Sequence, residues 1–287
     1  MLKYDPKVLM DEKHYRISKK TKQSTIRANS RIDFMIWNRL FPNYEKNRDR
    51  IAGLPKLSSR FGQWNGENCL VVGSGPSCKK NIKNIRKAVE MGWRVISVDR
   101  AHVFLKKNGV RPDITISIDG GKKIPEFFDG VEIGSDEIFA LCVTSHPDVY
   151  ERLGHADIHC FACANPFSEL WRKIYAENVP ELTCLRPGNV VTFSAVDLAL
   201  WMGCKKIVTI GNDLCWHADD RIQWEMYKGF RISKVGGGLV STEAFIKAAK
   251  VFRFFKNHHG KDAKFIDASM GIVKGWKQIP LEKVLSK

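Results

Sequence analysis

The chain lacks a long apolar run. No stretch approaches the roughly 20 residues that span a bilayer, and the N-terminus MLKYDPKVLMDEKHYR has no hydrophobic core of a secretory signal. It also lacks a disulfide framework: its eight cysteines are scattered, several in or beside apolar segments such as Cys69, Cys142, Cys184 and Cys204, where a small thiol packs like a hydrophobe. Together these absences exclude a membrane-spanning or disulfide-stapled protein and predict a cytoplasmic one. The densest Cys/His cluster, His155, His159, Cys160 and Cys163 in HADIHCFAC, lacks the second pair that a structural zinc site needs, so a strand that happens to hold cysteines is the favoured reading. Two nucleotide signatures are incomplete as well. The dinucleotide fingerprint G-x-G-x-x-G has Cys78 at its third glycine, and no Walker A sequence occurs.

What the chain does have is positive charge, +16 from 47 Lys/Arg against 31 Asp/Glu. Residues 1–66 hold 15 of those cations and 6 of the acids, so a minority of the chain supplies most of the excess. This predicts a basic, mainly helical N-terminal extension, which is either a surface for an anionic macromolecule or membrane or a solvated face with no partner. The basic run KKTKQSTIRANSR has no interleaved aromatics, which argues against a dedicated nucleic-acid platform. The later IDFMIWNRLF reads as an amphipathic helix docked on the main domain.

From residue 67 to 287, short apolar runs alternate with helical segments, the pattern of an α/β, Rossmann-like open sheet, mostly parallel, with helices on both faces. Strands are predicted at Cys69–Val72, Arg94–Val98, Ile114–Ile118, Ile138–Val143, Ile158–Phe161, Lys206–Ile210 and Lys264–Ile266. Helices are predicted near Lys79–Met91, Ala101–Asn108, Val190–Met202 and Thr242–His258. In such sheets ligands gather beyond the strands' carboxyl ends. The ends here carry GSGPS (Gly73, Ser74, Gly75, Pro76, Ser77), then Asp99 and Arg100, then Asp119, Gly120 and Gly121, then Thr144, Ser145 and His146, and later Gly211, Asn212 and Asp213. The glycines of GSGPS allow close approach of a phosphate, and Pro76 and Ser77 suit the start of a helix whose free N–H groups favour an anion. Asp99 lies 24 positions after Gly75, near the spacing of a ribose-binding acid. Each of these residues is also an ordinary turn residue. Their concurrence at five strand ends is what predicts a site.

The blocks VVGSGPSCKKNI, VISVDRAHVFLKKNGVRPDITISID, RPGNVVTFSAVDLALWMGCKKIVTIGNDL and GLVSTEAFIKAAKVF, with KFIDASMG and IPLEKVL, resemble the MptE-like family. That family includes archaeal 6-hydroxymethyl-7,8-dihydropterin diphosphokinases and the core domain of Maf flagellin glycosyltransferases. The first and third blocks also resemble bacterial sialyltransferases that use CMP-sugars. The resemblance implies a nucleotide-dependent transferase. On the diphosphokinase reading, which it favours, ATP donates diphosphate to a pterin alcohol, Asp119 and Asp213 hold Mg²⁺, and the Gly73–Ser77 amides hold phosphate with Lys79 or Arg100. On the alternative reading, a CMP-sugar donates a glycosyl group, His217 is the general base with Asp219 or Asp220 orienting it, and Arg186, Asn189 and Thr192 meet the nucleotide. A nucleotide-binding module without chemistry is a third. The aromatic segment Cys215–Gly238 is predicted to form a lid in which Trp216, Trp224 or Tyr227 stacks on a ring.

Overall fold

The computed structural model describes Asp5, Leu9 and residues 38–165, 168–178, 182–220 and 231–286. The first strand, β1 (Asn68–Val72), shows why a sheet forms here. Cys69 and Val71 enter one hydrophobic cluster and Leu70 and Val72 another, so β1 is covered on both faces. Burying such side chains stabilises by about 1.5–3 kcal/mol each for the larger ones. The other strands are β2 (Arg94–Val98), β3 (Ile114–Ser117), β4 (Ile138–Cys142), β5 (Asp157–Cys163), β6 (Cys184–Leu185) and β7 (Lys206–Ile210). Next come β8 (Trp216–His217), β9 (Ile232–Gly236), β10 (Leu239–Thr242), β11 (Lys264–Asp267) and β12 (Lys277–Gln278). Nine of them form one sheet in the order β12-β11-β7-β1-β2-β3-β4-β5-β6, and every pairing in it is parallel. The remaining three form a small antiparallel sheet, β8-β10-β9.

The chain lays down β1 to β6 in one direction, then returns to the other side of β1 with β7. That reversal opens a crevice between the β1 and β7 ends. Helix α1 covers residues 38–53, followed by α2 (Pro76–Lys80), α3 (Ile82–Glu90), α4 (Asp99–Lys107), α5 (Pro147–Arg152), α6 (Glu169–Asn178), α7 (Val191–Trp201), α8 (Glu243–His259) and α9 (Leu281–Leu285). The predicted helix from Lys79 to Met91 is two helices. Asn81, at φ −110 and ψ 16, ends α2 and starts α3, and its side-chain amide donates to Ser77 O at 3.0 Å. Helix α7 is apolar almost all round and buried from Thr192 to Trp201, packing across β1, β2, β3 and β7.

Helix α1 is tied to the sheet by two asparagines one turn apart. Asn43 Nδ2 donates to Gly120 O and Thr144 O, both at 3.1 Å, and Asn47 Nδ2 donates to Val143 O and Ser145 O at 3.2 and 2.9 Å. Residues 38–53 are therefore seated on the β3 and β4 ends. Of IDFMIWNRLF only the last four residues lie within the described part of the chain. Among the described residues no helix is long and apolar enough to cross a membrane.

Candidate functional site

A cleft of about 990 Å³ runs along the carboxyl edge of the sheet. In sheet order it extends from β7 across β1 to β2 and β3. Its β7 side is lined by Gly211, Asn212, Asp213, Trp216 and Phe245, its middle by Ser74, Gly75, Pro76 and Lys79, and its far side by Asp99, Arg100, Phe104, Asp119 and Phe127. Asn189 and Thr192 line it at the start of α7, and Arg39 and Leu40 of α1 close one wall. Gly73, Ser77, Arg186 and His217 are not in its lining.

The two glycine turns at its floor meet backbone to backbone. Gly73 N–H donates to Ile210 O and Gly75 N–H to Gly211 O, both at 2.8 Å. A Cβ on Gly211 would collide with the Gly73 carbonyl, and one on Gly73 with the Gly211 carbonyl. Glycine is required here by the neighbouring strand end rather than by a ligand.

Asp213 completes the arrangement. Its carboxylate accepts the Ser77 N–H at 3.2 and 3.3 Å and the Ser77 hydroxyl at 2.8 Å, while Ser77 Oγ accepts the Gly211 N–H at 2.9 Å. The amide cradle expected from Gly73 to Ser77 is thus largely closed. Gly73, Gly75 and Ser77 bond within the protein, Pro76 has no N–H, and Ser74 alone has an N–H without a partner among the described residues. The physical reason is that a carboxylate from the next strand end satisfies the α2 N-terminus as a phosphate would. Burial pushes the Asp213 carboxyl up to about 6, against the lowering effect of Ser77.

On the other side of β1, Asp99 is buried and accepts the Ser117 hydroxyl and the Arg100 N–H, each at 2.7 Å. Desolvation again dominates and raises it to about 6, with the nearby charge of Asp119 adding to the rise. Asp119 itself is exposed, and its Oδ1 accepts the Gly121 N–H at 2.9 Å. The Arg100 guanidinium lies 5.5 Å from the centre of the Phe127 ring.

Magnesium prefers one or two carboxylates together with substrate phosphates. Asp119 fits that requirement, being accessible with one oxygen uncommitted. Asp213 fits it less well, because Ser77 engages both of its oxygens. Among the described residues no three His, Cys, Asp or Glu side chains gather into a metal ligand set. In HADIHCFAC, His155 Nε2 meets Ile133 O, His159 sits between Arg60 and Asp157, and the Cys163 sulfur lies 4.0 Å from that of Cys142.

Arg186 has a structural task. It donates from its backbone N–H and its guanidinium to the fully buried Asp197 at 2.8 and 2.7 Å, with the guanidinium also over Phe255. The buried carboxylate of α7 engages it, and it does not line the cleft where the nucleotide was expected. His217 is exposed on β8, opposite Leu239. Strand alternation turns Trp216 into the cleft and His217 away, so the expected general base is not at the site. Asp220 meets His217 through its backbone N–H to His217 O. The expected lid is in part the antiparallel sheet, with Trp216 tilted against Phe245 at 5.6 Å. Trp224 and Tyr227 lie outside the described residues.

The start of α7 is open. Gly188 and Asn189 adopt φ of 51 and 66, Val190 at the N-cap makes no side-chain capping bond, and the Val191 and Thr192 N–H groups have no hydrogen-bond partner among the described residues. The sequence reading missed Arg39 and Phe127, which carry no motif, and Phe245, which lies within GLVSTEAFIKAAKVF but was not singled out.

A parallel sheet whose order reverses above a cleft of this lining defines a Rossmann-like α/β protein with an open cleft at its topological switch point. The chain belongs to the MptE-like family: the family model described as 6-hydroxymethylpterin diphosphokinase MptE-like matches residues 38–219. A solved structure, that of a MAf glycosyltransferase from Magnetospirillum magneticum AMB-1, is similar in fold, with a TM-score of 0.57 and 17% identity over 79% of this chain and 38% of that one. The present chain thus spans well under half the length of that structure's chain. Among curated proteins there is no match.

Proposed function

We propose that the protein binds a nucleoside triphosphate in the switch-point cleft and transfers its terminal diphosphate to a primary alcohol on a flat, pterin-like ring. The alcohol oxygen attacks the β-phosphorus, the bond from that phosphorus to the α-phosphate oxygen breaks, the alcohol proton passes to a carboxylate, and the nucleoside monophosphate leaves. The observation that carries this reading is the layout of the cleft. Aromatic side chains stand on both sides of β1, Trp216 and Phe245 on the β7 side and Phe104 and Phe127 on the β2–β3 side, with carboxylates and cations between them. At about 990 Å³ the cavity is at the upper end of single-ligand pockets and suits two ring-bearing molecules end to end.

Phosphoryl transfer asks a protein chiefly for alignment and charge neutralisation. Arg39, Lys79, Arg100 and Lys107 supply positive charge around the cleft, and the open amides of Ser74, Val191 and Thr192 supply donors. Asp213, with its carboxyl at about 6, accepts the alcohol proton near neutral pH. Mg²⁺ would be held by Asp119 and would offset phosphate charge. All eight cysteines are free, which suits the cytoplasm.

Transfer from a nucleotide sugar is the second reading, supported by the fold shared with the MAf glycosyltransferase. It uses the same cleft, with Asp213 in place of a histidine base. The test is to incubate the full chain with Mg-ATP and 6-hydroxymethyl-7,8-dihydropterin, and separately with CMP-sugars, and to follow the nucleotide products. AMP formation dependent on the pterin supports diphosphate transfer. ADP, or CMP released from a CMP-sugar without AMP from ATP, overturns it.

A further inference from the structure

The end of β7 carries a polar group that the protein does not itself satisfy. Asn212 is 1% exposed and its backbone N–H donates to Ser269 Oγ at 2.9 Å, yet neither Nδ2 nor Oδ1 of its side chain has a hydrogen-bond partner among the described residues. Buried carboxamides are ordinarily paired, because leaving one unpaired costs free energy. Asn212 lines the switch-point cleft, the cavity next to its buried amide. The first turn of α7 opens on the same cleft with the unpaired Val191 and Thr192 N–H groups. One side chain and one helix end, unsatisfied for separate reasons, therefore converge on one cavity. The turn after β1, by contrast, is filled by Asp213.

We propose that Asn212 is the residue that reads the sugar–phosphate junction of the nucleotide. A phosphoryl oxygen seated on the first turn of α7 accepts from Asn212 Nδ2, and a neighbouring sugar hydroxyl donates to Oδ1. An amide is suited to this because it offers a donor and an acceptor side by side. The inference deepens the nucleotide reading above and rests on it. It also places the phosphate beside α7 rather than in the GSGPS turn.

The test uses calorimetric titration of the full chain with ATP, CMP and inorganic pyrophosphate, applied to wild type and to Asn212→Leu and Asn212→Asp, together with ligand-free melting curves. Leucine keeps the branched four-atom skeleton while removing the unpaired amide, so nucleotide affinity falls by about thirtyfold or more. Asn212→Asp loses more, since it sets a carboxylate against phosphate. Wild-type hydrogen exchange with pyrophosphate should slow the amides of residues 189–192 and leave those of 73–77 unchanged, a readout independent of how the variants fold. If wild type binds nucleotide and Asn212→Leu binds it within threefold, the inference is overturned and the nucleotide reading stands. A clear drop in the melting temperature of Asn212→Leu with affinity retained, or slowing at 73–77 in place of 189–192, also overturns it. Wild type that binds none of the three ligands at millimolar concentration removes both.

Discussion

Replacing Gly75 by alanine tests whether the protein or a ligand fills the turn after β1. The Gly75 backbone, at φ −68 and ψ 168, suits any residue, so the perturbation is one of space alone. An added Cβ would lie 2.7 Å from the Gly211 carbonyl oxygen and would overlap Asp213 Oδ2. The Gly211 oxygen is fixed by its bond from Gly75 N–H at 2.8 Å and by the close contact of its turn with Gly73. Asp213 can turn aside only by giving up Ser77. Losing hydrogen bonds to a charged group costs about 1.5–3 kcal/mol, and wedging a methyl into a filled site costs about 1–3 kcal/mol. Together these predict a loss of about 3–5 kcal/mol and, for a chain of this length, a fall in melting temperature on the order of 10 °C. The assay is a ligand-free thermal melt of Gly75→Ala, Asp213→Ala and the double variant. Because Asp213→Ala removes the group that is struck, the double variant should lose less than the two single losses combined, by about 1–2 kcal/mol. A Gly75→Ala protein that melts with wild type yet no longer binds nucleotide would show that a ligand occupies this space, and the reasoning would fail.

Arg186→Ala strands the Asp197 carboxylate, which has no exposure, and should cost about 3–5 kcal/mol in urea unfolding; a loss under 1 kcal/mol would show that water reaches it. His217→Ala should leave kcat and KM within about twofold of wild type, since the imidazole is exposed and off the cleft. A tenfold fall in kcat would mean that β8 closes over the site. Asp99 titrates at about 6 in the fold against an ordinary carboxyl near 3.9 in the unfolded chain. Between those values the folded state holds more protons, so this group's contribution falls as pH rises from about 4 to about 6 and stays low above. Asp99→Asn should therefore gain on wild type across that window by about 3 kcal/mol. Urea midpoints at pH 4, 5, 6 and 7 measure it, and a pH-independent difference would refute it.

Most of the main sheet is legible in the sequence because a strand covered on both faces must be apolar throughout, as in LVV of β1 or IVTI of β7. Two-residue strands such as β6 and β12 are too short to repeat an alternation, and nothing in their composition marks them. The strand-end rule placed Asp99, Asp119 and Asn212 along one cleft because parallel strands share a carboxyl edge. Contacts between distant segments were not readable. Ser77 and Asp213 are 136 positions apart, and their meeting depends on the β1–β7 register that pairs Val72 with Ile210. The anchoring of α1 by Asn43 and Asn47 depends in the same way on carbonyls beyond β3 and β4.

The Ser77–Asp213 contact also bears on how a glycine-rich turn is interpreted. Open amides at a helix start attract any anion, and a carboxylate of the protein competes with a phosphate on equal electrostatic terms. In this chain the competition is resolved differently at two places. The α2 start holds Asp213, so Gly73 and Gly75 are required by the Gly211 turn that approaches them. Helix α7 has no acidic residue in its first turn, and its own carboxylate, Asp197, points to Arg186. The segment with the weaker sequence signature therefore retains the open donors. A phosphate entering this cleft meets Val191 and Thr192 without displacing a bound carboxylate, whereas at Ser77 it would first have to expel Asp213 into the same cavity, where the two negative charges would repel each other.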